Sequence, residues 1–106
     1  MSRYKDFTNL AADIAWETNE DGNITYISGN KRFGYNNSQL VGLKATKLLH
    51  KSTPVGSKRY FTLKTHQTDL EMVLKHASGD PITIQVSTKP FFDKQGNWKG
   101  TRAIGK

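Results

Sequence analysis

Three polar turns, each containing a glycine, divide the apolar part of this sequence into runs of strand length. They lie at about residues 20–23, 78–81 and 93–97. Glycine reaches the positive φ values that tight turns require, and the flanking runs are rich in the aromatic and β-branched residues that strands favour. Strands joined by turns this short must be antiparallel, so the sequence excludes a parallel α/β fold.

The runs beside these turns alternate between apolar and polar residues, which is the period of a half-buried strand. In the fourth run Ile82, Ile84 and Val86 fall on one face, and the polar residues between them fall on the other. We expect five strands, at about residues 14–19, 24–28, 70–74, 82–88 and 98–104, and Pro90 is expected to end the fourth. The predicted fold class is therefore α+β, with a five-stranded antiparallel sheet and short helices packed on one face.

The segment between the second and third strands, at about residues 30–65, is expected to cross the sheet as several short helical turns. Asn37 or Ser38 can cap one of these turns, and Gly42 can end it. Near the start of the chain, Tyr4, Phe7 and Leu10 recur at helical spacing, which predicts an amphipathic helix over residues 1–13. The partner of this apolar stripe is either the domain's own sheet or a second copy of the chain.

Composition limits the classes of function. A chain of 106 residues forms one domain, and the absence of cysteine excludes disulfides, thiolate metal sites and cysteine nucleophiles. The net charge of +7 is spread singly or in pairs along the sequence, so we expect no nucleic-acid binding. No apolar window approaches the roughly 18 residues of a membrane span, and the charged start is unlike a signal peptide. We expect a cytoplasmic protein without direct membrane contact.

An enzymatic function has little support in the sequence. No Ser, His and Asp order suggests a catalytic triad, and no phosphate-binding glycine loop follows a strand. Most carboxylates fall in turns or on the outer faces of strands, where they are usually structural. We therefore expect binding or interaction, with no catalytic residue and no metal site.

The order and spacing of several short motifs resemble a PAS domain. The motifs are Trp16 to Tyr26 with Asp21-Gly22, Gly34-Tyr35, Gln39-Leu40-Val41-Gly42, Leu48-Leu49-His50, Ser78-Gly79 before a strand that closes at Pro90, and Asp93-Lys94-Gln95-Gly96 before the last strand. The resemblance covers the chain from about Asp13 to Lys106. It implies one sensor domain over residues 1–106, with a PAS core at 14–106, excised from a longer signalling protein. The output domain, a histidine kinase, a cyclase or phosphodiesterase, or a transcription regulator, is then missing from this sequence.

The same resemblance implies a ligand pocket between the inner face of the sheet and the helices. Carried over strand by strand, its lining is Trp16, Thr18, Leu40, Leu49, Phe61, Met72, Leu74, Ile84, Val86 and Ala103, with Leu48, Thr88 and Thr101 beside them. A plain filled core would contain the same residues, because apolar residues at these periods are more often core than cofactor contacts. A pocket of this composition would suit a small apolar or weakly polar molecule.

The resemblance also gives expectations about cofactors. The photoactive flavin subclass needs a cysteine in an Asn-Cys-Arg motif, and this chain has no cysteine, so we expect no photoactive flavin. Non-covalent flavin would need amide donors where Met72, Leu74, Ile84 and Val86 stand. Haem would need an axial histidine facing the sheet, and neither His50 nor His66 matches that role. Non-covalent flavin and haem are therefore not expected, and the ligand itself stays open.

Two functions remain in competition. The first is a sensor that binds a small molecule and relays the change to an attached output domain. The second is a ligand-free scaffold that dimerises and transmits conformation. PAS domains often dimerise through the outer sheet face and the N-terminal helix, so the resemblance implies a homodimer with Tyr4, Phe7 and Leu10 at its interface. A basic nucleic-acid-binding domain is the least favoured reading.

Overall fold

The computed structural model describes residues 14–106, which form one antiparallel sheet with short helices on one side. The strands are β1 (Ile14–Asn19), β2 (Ile24–Ser28), β3 (Gln67–Lys75), β4 (Pro81–Phe92) and β5 (Trp98–Gly105). Their order across the sheet is β2-β1-β5-β4-β3, and each neighbouring pair is antiparallel. The predicted α+β class with a five-stranded sheet is confirmed.

The first and last strands lie side by side at the centre of the sheet. Trp16 of β1 pairs with Ala103 of β5, and Thr18 pairs with Thr101, 83 positions further along the chain. The other neighbouring strands are joined by short turns and close locally. The central pair therefore brings together the most distant parts of the described chain.

The crossing connection between β2 and β3 consists of short helices. Three are 3₁₀ helices (Asn30–Phe33, Ala45–Leu48 and Ser57–Thr62), and one is the α-helix α1 (Asn37–Leu40). The sequence predicts Asn37 or Ser38 as the cap of this helix, but the N-cap residue is Asn36, whose backbone N–H donates to Gln39 Oε1 at 2.7 Å. Gln39 stands three residues after the cap and completes a capping box, which fixes the start of the helix one residue earlier.

The hydrophobic core lies between the inner face of the sheet and these helices. Alternate residues of the strands point into it, and the helices close it from the other side. Its buried members are Ile14, Trp16, Ile24, Ile27, Phe33, Leu40, Ala45, Leu48, Phe61, Met72, Leu74, Ile84, Val86 and Ala103. Full burial of one large aliphatic or aromatic side chain stabilises the fold by about 1.5–3 kcal/mol.

Three strands depart from their predicted course. β3 begins at Gln67, three residues before the predicted start at Leu70. β4 continues through Pro90 to Phe92 instead of ending at Pro90. Pairing with β3 reaches only as far as Thr88, so Pro90 lies where β4 has a neighbour on one side, a position at which proline is tolerated. In β2 the buried residues are Ile24 and Ile27, because the register with β1 shifts between Glu17 and Thr18 and interrupts strict alternation.

The amphipathic helix predicted for residues 1–13, with Tyr4, Phe7 and Leu10, lies outside the described residues. The helices of residues 14–106 are all too short and too polar to cross a membrane.

The turn between β4 and β5 is organised by one carboxylate. Asp93 Oδ1 accepts the backbone N–H groups of Gln95 and Asn97, each at 2.9 Å. The bond from the Asn97 N–H is the main cause that lowers the pKa of Asp93, and burial, the next largest effect, opposes it. The Gln95 N–H, the Asn97 side chain and the charge of Lys99 also lower this pKa. This carboxyl therefore holds its proton less tightly in the folded chain than in the unfolded one.

The lowered pKa of Asp93 predicts an acid-sensitive hairpin. Its contribution to stability should be present above the ordinary aspartate pKa of about 3.9 and should be lost as the pH falls through the lower folded value. A carboxyl ¹³C NMR titration should show Asp93 protonating below that ordinary value, and Asp93→Asn should reduce the acid dependence of the unfolding free energy. An Asp93 that titrates at or above the ordinary value would contradict this account.

Gly100 lies at a point of β5 where residues of both neighbouring strands, β1 and β4, approach closely. A Cβ at this position would overlap the Thr18 carbonyl oxygen and would come within 2.8 Å of the Phe91 ring. We expect Gly100→Ala to lower the free energy of unfolding by about 3 kcal/mol, because the central strands would have to separate. Gly96→Ala is the matched control: its φ is +83° but the space around it is open, so about 1 kcal/mol of backbone strain is expected. Urea unfolding measures both, and equal losses would refute the packing explanation.

Candidate ligand site on the inner face of the sheet

The residues predicted to line a pocket come together in one place. Trp16, Met72, Leu74, Ile84, Val86 and Ala103 from the strands meet Leu40 and Phe61 from the helical layer in a single cluster. Thr18 is also fully buried, whereas Leu49 is only partly buried and packs against the edge of the cluster. The structure thus places these residues on the inner face, and their role toward a ligand stays a prediction.

A row of three buried threonines forms the polar part of this face. Thr18 of β1 pairs with Thr101 of β5, and Thr88 of β4 pairs with Ala103, two positions further along β5 than Thr101. Their hydroxyls are directed at alternate carbonyls of residues 61–65, which we call the strap. The Thr18 hydroxyl donates to the carbonyl of Phe61, the Thr101 hydroxyl donates to that of Leu63 at 2.7 Å, and the Thr88 hydroxyl makes a long contact of 3.5 Å with that of Thr65.

The strap therefore lies directly over the part of the sheet where polar groups are available. Each hydrogen bond contributes a net stabilisation of about 0.5–1.5 kcal/mol, and an unpaired buried carbonyl would cost more than that. The three contacts hold the end of the helical layer against three different strands.

Trp16 is the largest side chain of the site and has one polar atom without a partner. Its ring packs against Phe61 with centroids 5.5 Å apart and an angle of 48° between the rings. Its Nε1 is buried and makes no hydrogen bond with any described residue. A buried donor of this kind carries a desolvation cost, and an acceptor brought next to it would recover that cost.

The site is closely packed in the structure. Nearly all of its members expose between 0% and 3% of their surface, and a cavity able to hold a water molecule would leave part of its lining accessible. A small void of about 10 Å³ adjoins the site at Leu40 and is otherwise lined by Ile14, Ile27, Phe33 and Leu48 among others. That volume is at the lower limit for one water molecule. A ligand would therefore enter only if part of the covering layer moved.

An ion pair lies on the outer face of the sheet, directly behind the threonine row. Arg102 Nε is 2.8 Å from Glu17 Oε2, and the Arg102 guanidinium stacks over the Phe91 ring at 4.3 Å. Glu17 and Arg102 are the chain neighbours of Thr18 and Thr101 on the same two strands. A displacement of either threonine on the inner face would therefore also shift the ion pair on the outer face.

Two of the three histidines stabilise their own turns. His50 and His76 each use Nδ1 as an acceptor for the backbone N–H of the serine two residues later, at 3.1 Å and 3.0 Å. His66 is exposed. Within residues 14–106, no group of three or more His, Asp or Glu side chains is placed to hold a metal ion.

Comparison with known families identifies the chain. A family model described as the PAS fold matches residues 2–105, so the chain belongs to the PAS family, as the motifs predict. No curated protein matches the sequence.

Solved structures support the same fold at low sequence identity. The chain resembles the PAS domain of an HTR-like protein from Haloarcula marismortui with a TM-score of 0.68 and 14% identity, over 98% of this chain and 93% of that one. It resembles the LOV domain of a blue-light activated histidine kinase from Erythrobacter litoralis with a TM-score of 0.67 and 16% identity, over 88% and 93%. A light-oxygen-voltage domain studied with a flavin analogue matches with a TM-score of 0.74 and 16% identity, over 96% and 81%.

The prediction about cofactors is wrong. It removes flavin from consideration because the chain lacks cysteine and has apolar residues on its inner strands. Light-oxygen-voltage domains are among the matching structures, and one of them was studied with a flavin analogue, so the fold is one that flavin-dependent photoreceptors share. The absence of cysteine and of amide side chains on the inner strands is therefore not enough to exclude flavin. A shared fold does not by itself identify a cofactor.

Sequence reasoning missed the strap. It places Phe61 in the pocket wall through its side chain, but the backbone carbonyls of Phe61 and Leu63 make the polar contacts with the sheet. The available signal was the occurrence of Thr18, Thr88 and Thr101 at inward positions, because a buried hydroxyl needs a partner. Nothing in the sequence shows that this partner is backbone.

Loss of a hydroxyl from the threonine row should lower the free energy of unfolding more than loss of an exposed hydroxyl. Thr101→Val keeps the shape of the side chain but removes the donor to the part-buried Leu63 carbonyl, so the free energy of unfolding should fall by about 1–2 kcal/mol. Thr25→Val is the matched control, since the exposed Thr25 hydroxyl donates to the Glu17 carbonyl at 3.1 Å and water can replace it. Its expected change is within about 0.5 kcal/mol. Similar losses of unfolding free energy in urea for the two variants would show that the bond from Thr101 to the strap contributes no more stability than an exposed hydrogen bond.

Proposed function

We propose that this chain is a sensory PAS module that binds a small molecule on the inner face of its sheet and relays the change to an attached output domain. The observation that supports the proposal is the buried and unpartnered Nε1 of Trp16, a side chain whose ring packs against Phe61, the first residue of the strap. A ligand acceptor at this point would satisfy the indole donor. The module acts through binding rather than catalysis, in the cytoplasm.

The strap would act as the gate of the site. It occupies the polar part of the inner face through two hydroxyl hydrogen bonds and one long contact. The two bonds have a combined net stabilisation of about 1–3 kcal/mol, which is within the range that a ligand can replace. When the strap moves away, the hydroxyls of Thr18 and Thr101 become available to the ligand. The remaining walls are apolar, which favours a small apolar or weakly polar molecule.

Relay to an output domain would follow the central strands. Thr18 and Thr101 adjoin Glu17 and Arg102, whose ion pair lies on the opposite face, so a shift on the inner side changes the outer one. Ile14 and Gly105 are paired at one end of the same two strands. A segment attached before β1 and a segment attached after β5 would therefore both sense that shift. The output domain is a histidine kinase, a cyclase or phosphodiesterase, or a transcription regulator.

A second candidate is a ligand-free scaffold that dimerises and passes on conformation. The near-complete burial of the inner face favours it, because a filled interior needs no ligand for stability. Such a scaffold would form a homodimer through the stripe of Tyr4, Phe7 and Leu10. Sedimentation velocity would then show a concentration-dependent dimer that the double variant Phe7→Asp with Leu10→Asp abolishes.

The sensor proposal predicts a ligand that can be detected in two independent ways. Native mass spectrometry of freshly purified protein, with an absorbance spectrum of the same sample, should show a stoichiometric added mass or a chromophore. After the ligand is removed and returned, thermal stability should rise, and at about 100 times the dissociation constant the gain is about 2.7 kcal/mol. In a Trp98→Phe background the fluorescence of Trp16 should change with the same dissociation constant.

Matched substitutions on β5 separate the inner face from the outer face. Ala103→Leu adds a larger side chain opposite Trp16, where a ligand would have to enter, and should abolish binding, whereas Ile104→Leu, one residue away on the other face, should leave it unchanged. Circular dichroism verifies that both variants fold. A clean apo mass, no added absorbance and no ligand that changes Trp16 fluorescence would reject the sensor in favour of the scaffold.

A further inference from the structure

The positive charge of the chain is carried by the crossing connection. Between Gly22 and Thr68 the sequence has eight Lys and Arg and no Asp or Glu, while the remainder has eight basic and nine acidic residues. All eight basic side chains of the connection are exposed. The helical side of the domain is therefore cationic and the rest is nearly neutral. These eight basic residues are scattered along the sequence, but they belong to one layer of the fold.

A groove of about 330 Å³ opens on this layer between the end of the helix Ala45–Leu48 and the loop that leads to the helix Ser57–Thr62. Lys51 and Lys58 line it together with Leu49 and Val55. Gly56 also lines the groove. The Arg59 guanidinium lies beside the groove, since its Nη1 is 3.8 Å from the point that a Cβ would occupy on Gly56. We call this feature the cationic groove.

The loop that forms the groove is held in shape by its own hydroxyl groups. Thr53 Oγ1 accepts the Val73 N–H at 3.0 Å and donates to Ser57 Oγ at 3.0 Å, and the Ser57 hydroxyl donates to the Pro54 carbonyl at 2.6 Å. The groups that face outward are the cations and the aliphatic side chain of Val55, which is fully exposed (103%). The groove is thus preformed, with an apolar contact beside three positive charges.

We propose that the cationic groove docks an acidic segment of a partner protein. Its carboxylates would face Lys51, Lys58 and Arg59, and one aliphatic side chain would cover Val55 and Leu49. Charge complementarity raises the association rate and selects the sign of the partner, while the apolar contact contributes affinity that salt does not screen. Because no acidic side chain occurs anywhere in residues 22–68, the layer offers no competing carboxylate of its own.

The shape of the groove favours a protein segment over a bilayer or a nucleic acid. A concave groove receives an extended chain, whereas a flat bilayer would contact only its rim. A nucleic acid needs cations that follow its phosphates, and here Lys51 and Lys58 share the lining of the groove with the apolar side chains of Leu49 and Val55. Recognition of acidic motifs by clusters of cations and of apolar side chains by grooves are both established modes of peptide binding, and this groove offers the groups for each.

Fluorescence anisotropy with the whole chain tests the proposal. The probe is a short fluorescein-labelled peptide in which glutamates and leucines alternate, and we expect saturable binding that weakens as salt is raised. In the double variant Lys51→Glu with Lys58→Glu the affinity should fall by about ten-fold or more. Val55→Ser leaves the charge unchanged and should weaken binding by about three-fold, since only apolar area is lost.

The matched control reverses two charges elsewhere. Lys89→Glu with Lys94→Glu changes the net charge by the same amount on β4 and in the turn after it, and should alter the affinity by less than about two-fold. Equal losses in the two double variants would overturn the proposal, because they would reflect net charge alone. It would also be overturned if phosphatidylglycerol vesicles or a single-stranded oligonucleotide bound through Lys51 and Lys58 while the peptide did not.

Discussion

The pairing of β1 with β5 is the constraint on which the rest of the fold depends. With these two strands at the centre, β2 and β3 are forced to opposite edges of the sheet, about 19 Å apart at the usual strand spacing. The chain that joins them has to span that width. It can do so only across a face, and the inward apolar residues of β1, β4 and β5 make the inner face the one to cover. The helical layer is thus a consequence of strand order.

The strap is the point where this layer is joined to the sheet by directional bonds. Apolar packing holds the helices on the core but tolerates small slides, whereas hydroxyl-to-carbonyl bonds fix a register. Thr18, Thr88 and Thr101 supply three such contacts on three adjacent strands. A movement of the strap would change the partners of all three threonines together, so these contacts would be kept or lost as a group. That property is what a conformational relay requires.

Most of the sheet could be predicted from the sequence, but few of the hydrogen bonds in the site could be. Alternation in β4 and the glycine turns were enough to predict an antiparallel α+β fold, because both follow from local periodicity and turn chemistry. Pro90 was misleading, since its tolerance depends on where β3 stops pairing, which is a tertiary fact. The burial of Trp16 and Met72 could be predicted from their positions, but the backbone partners of Thr18 and Thr101 could not. The grouping of the cations required knowledge that residues 22–68 largely share one layer.

One short helix takes part in both proposed contacts. The 3₁₀ helix Ser57–Thr62 carries Lys58 and Arg59 beside the cationic groove, and Phe61 at the start of the strap. A partner bound outside and a ligand bound inside would therefore act on the same few residues. Linkage then requires that each change the affinity of the other by the same factor. If the strap must leave the sheet to admit the ligand, a partner that holds Lys58 and Arg59 in their present position opposes ligand entry, and the ligand weakens the partner in return.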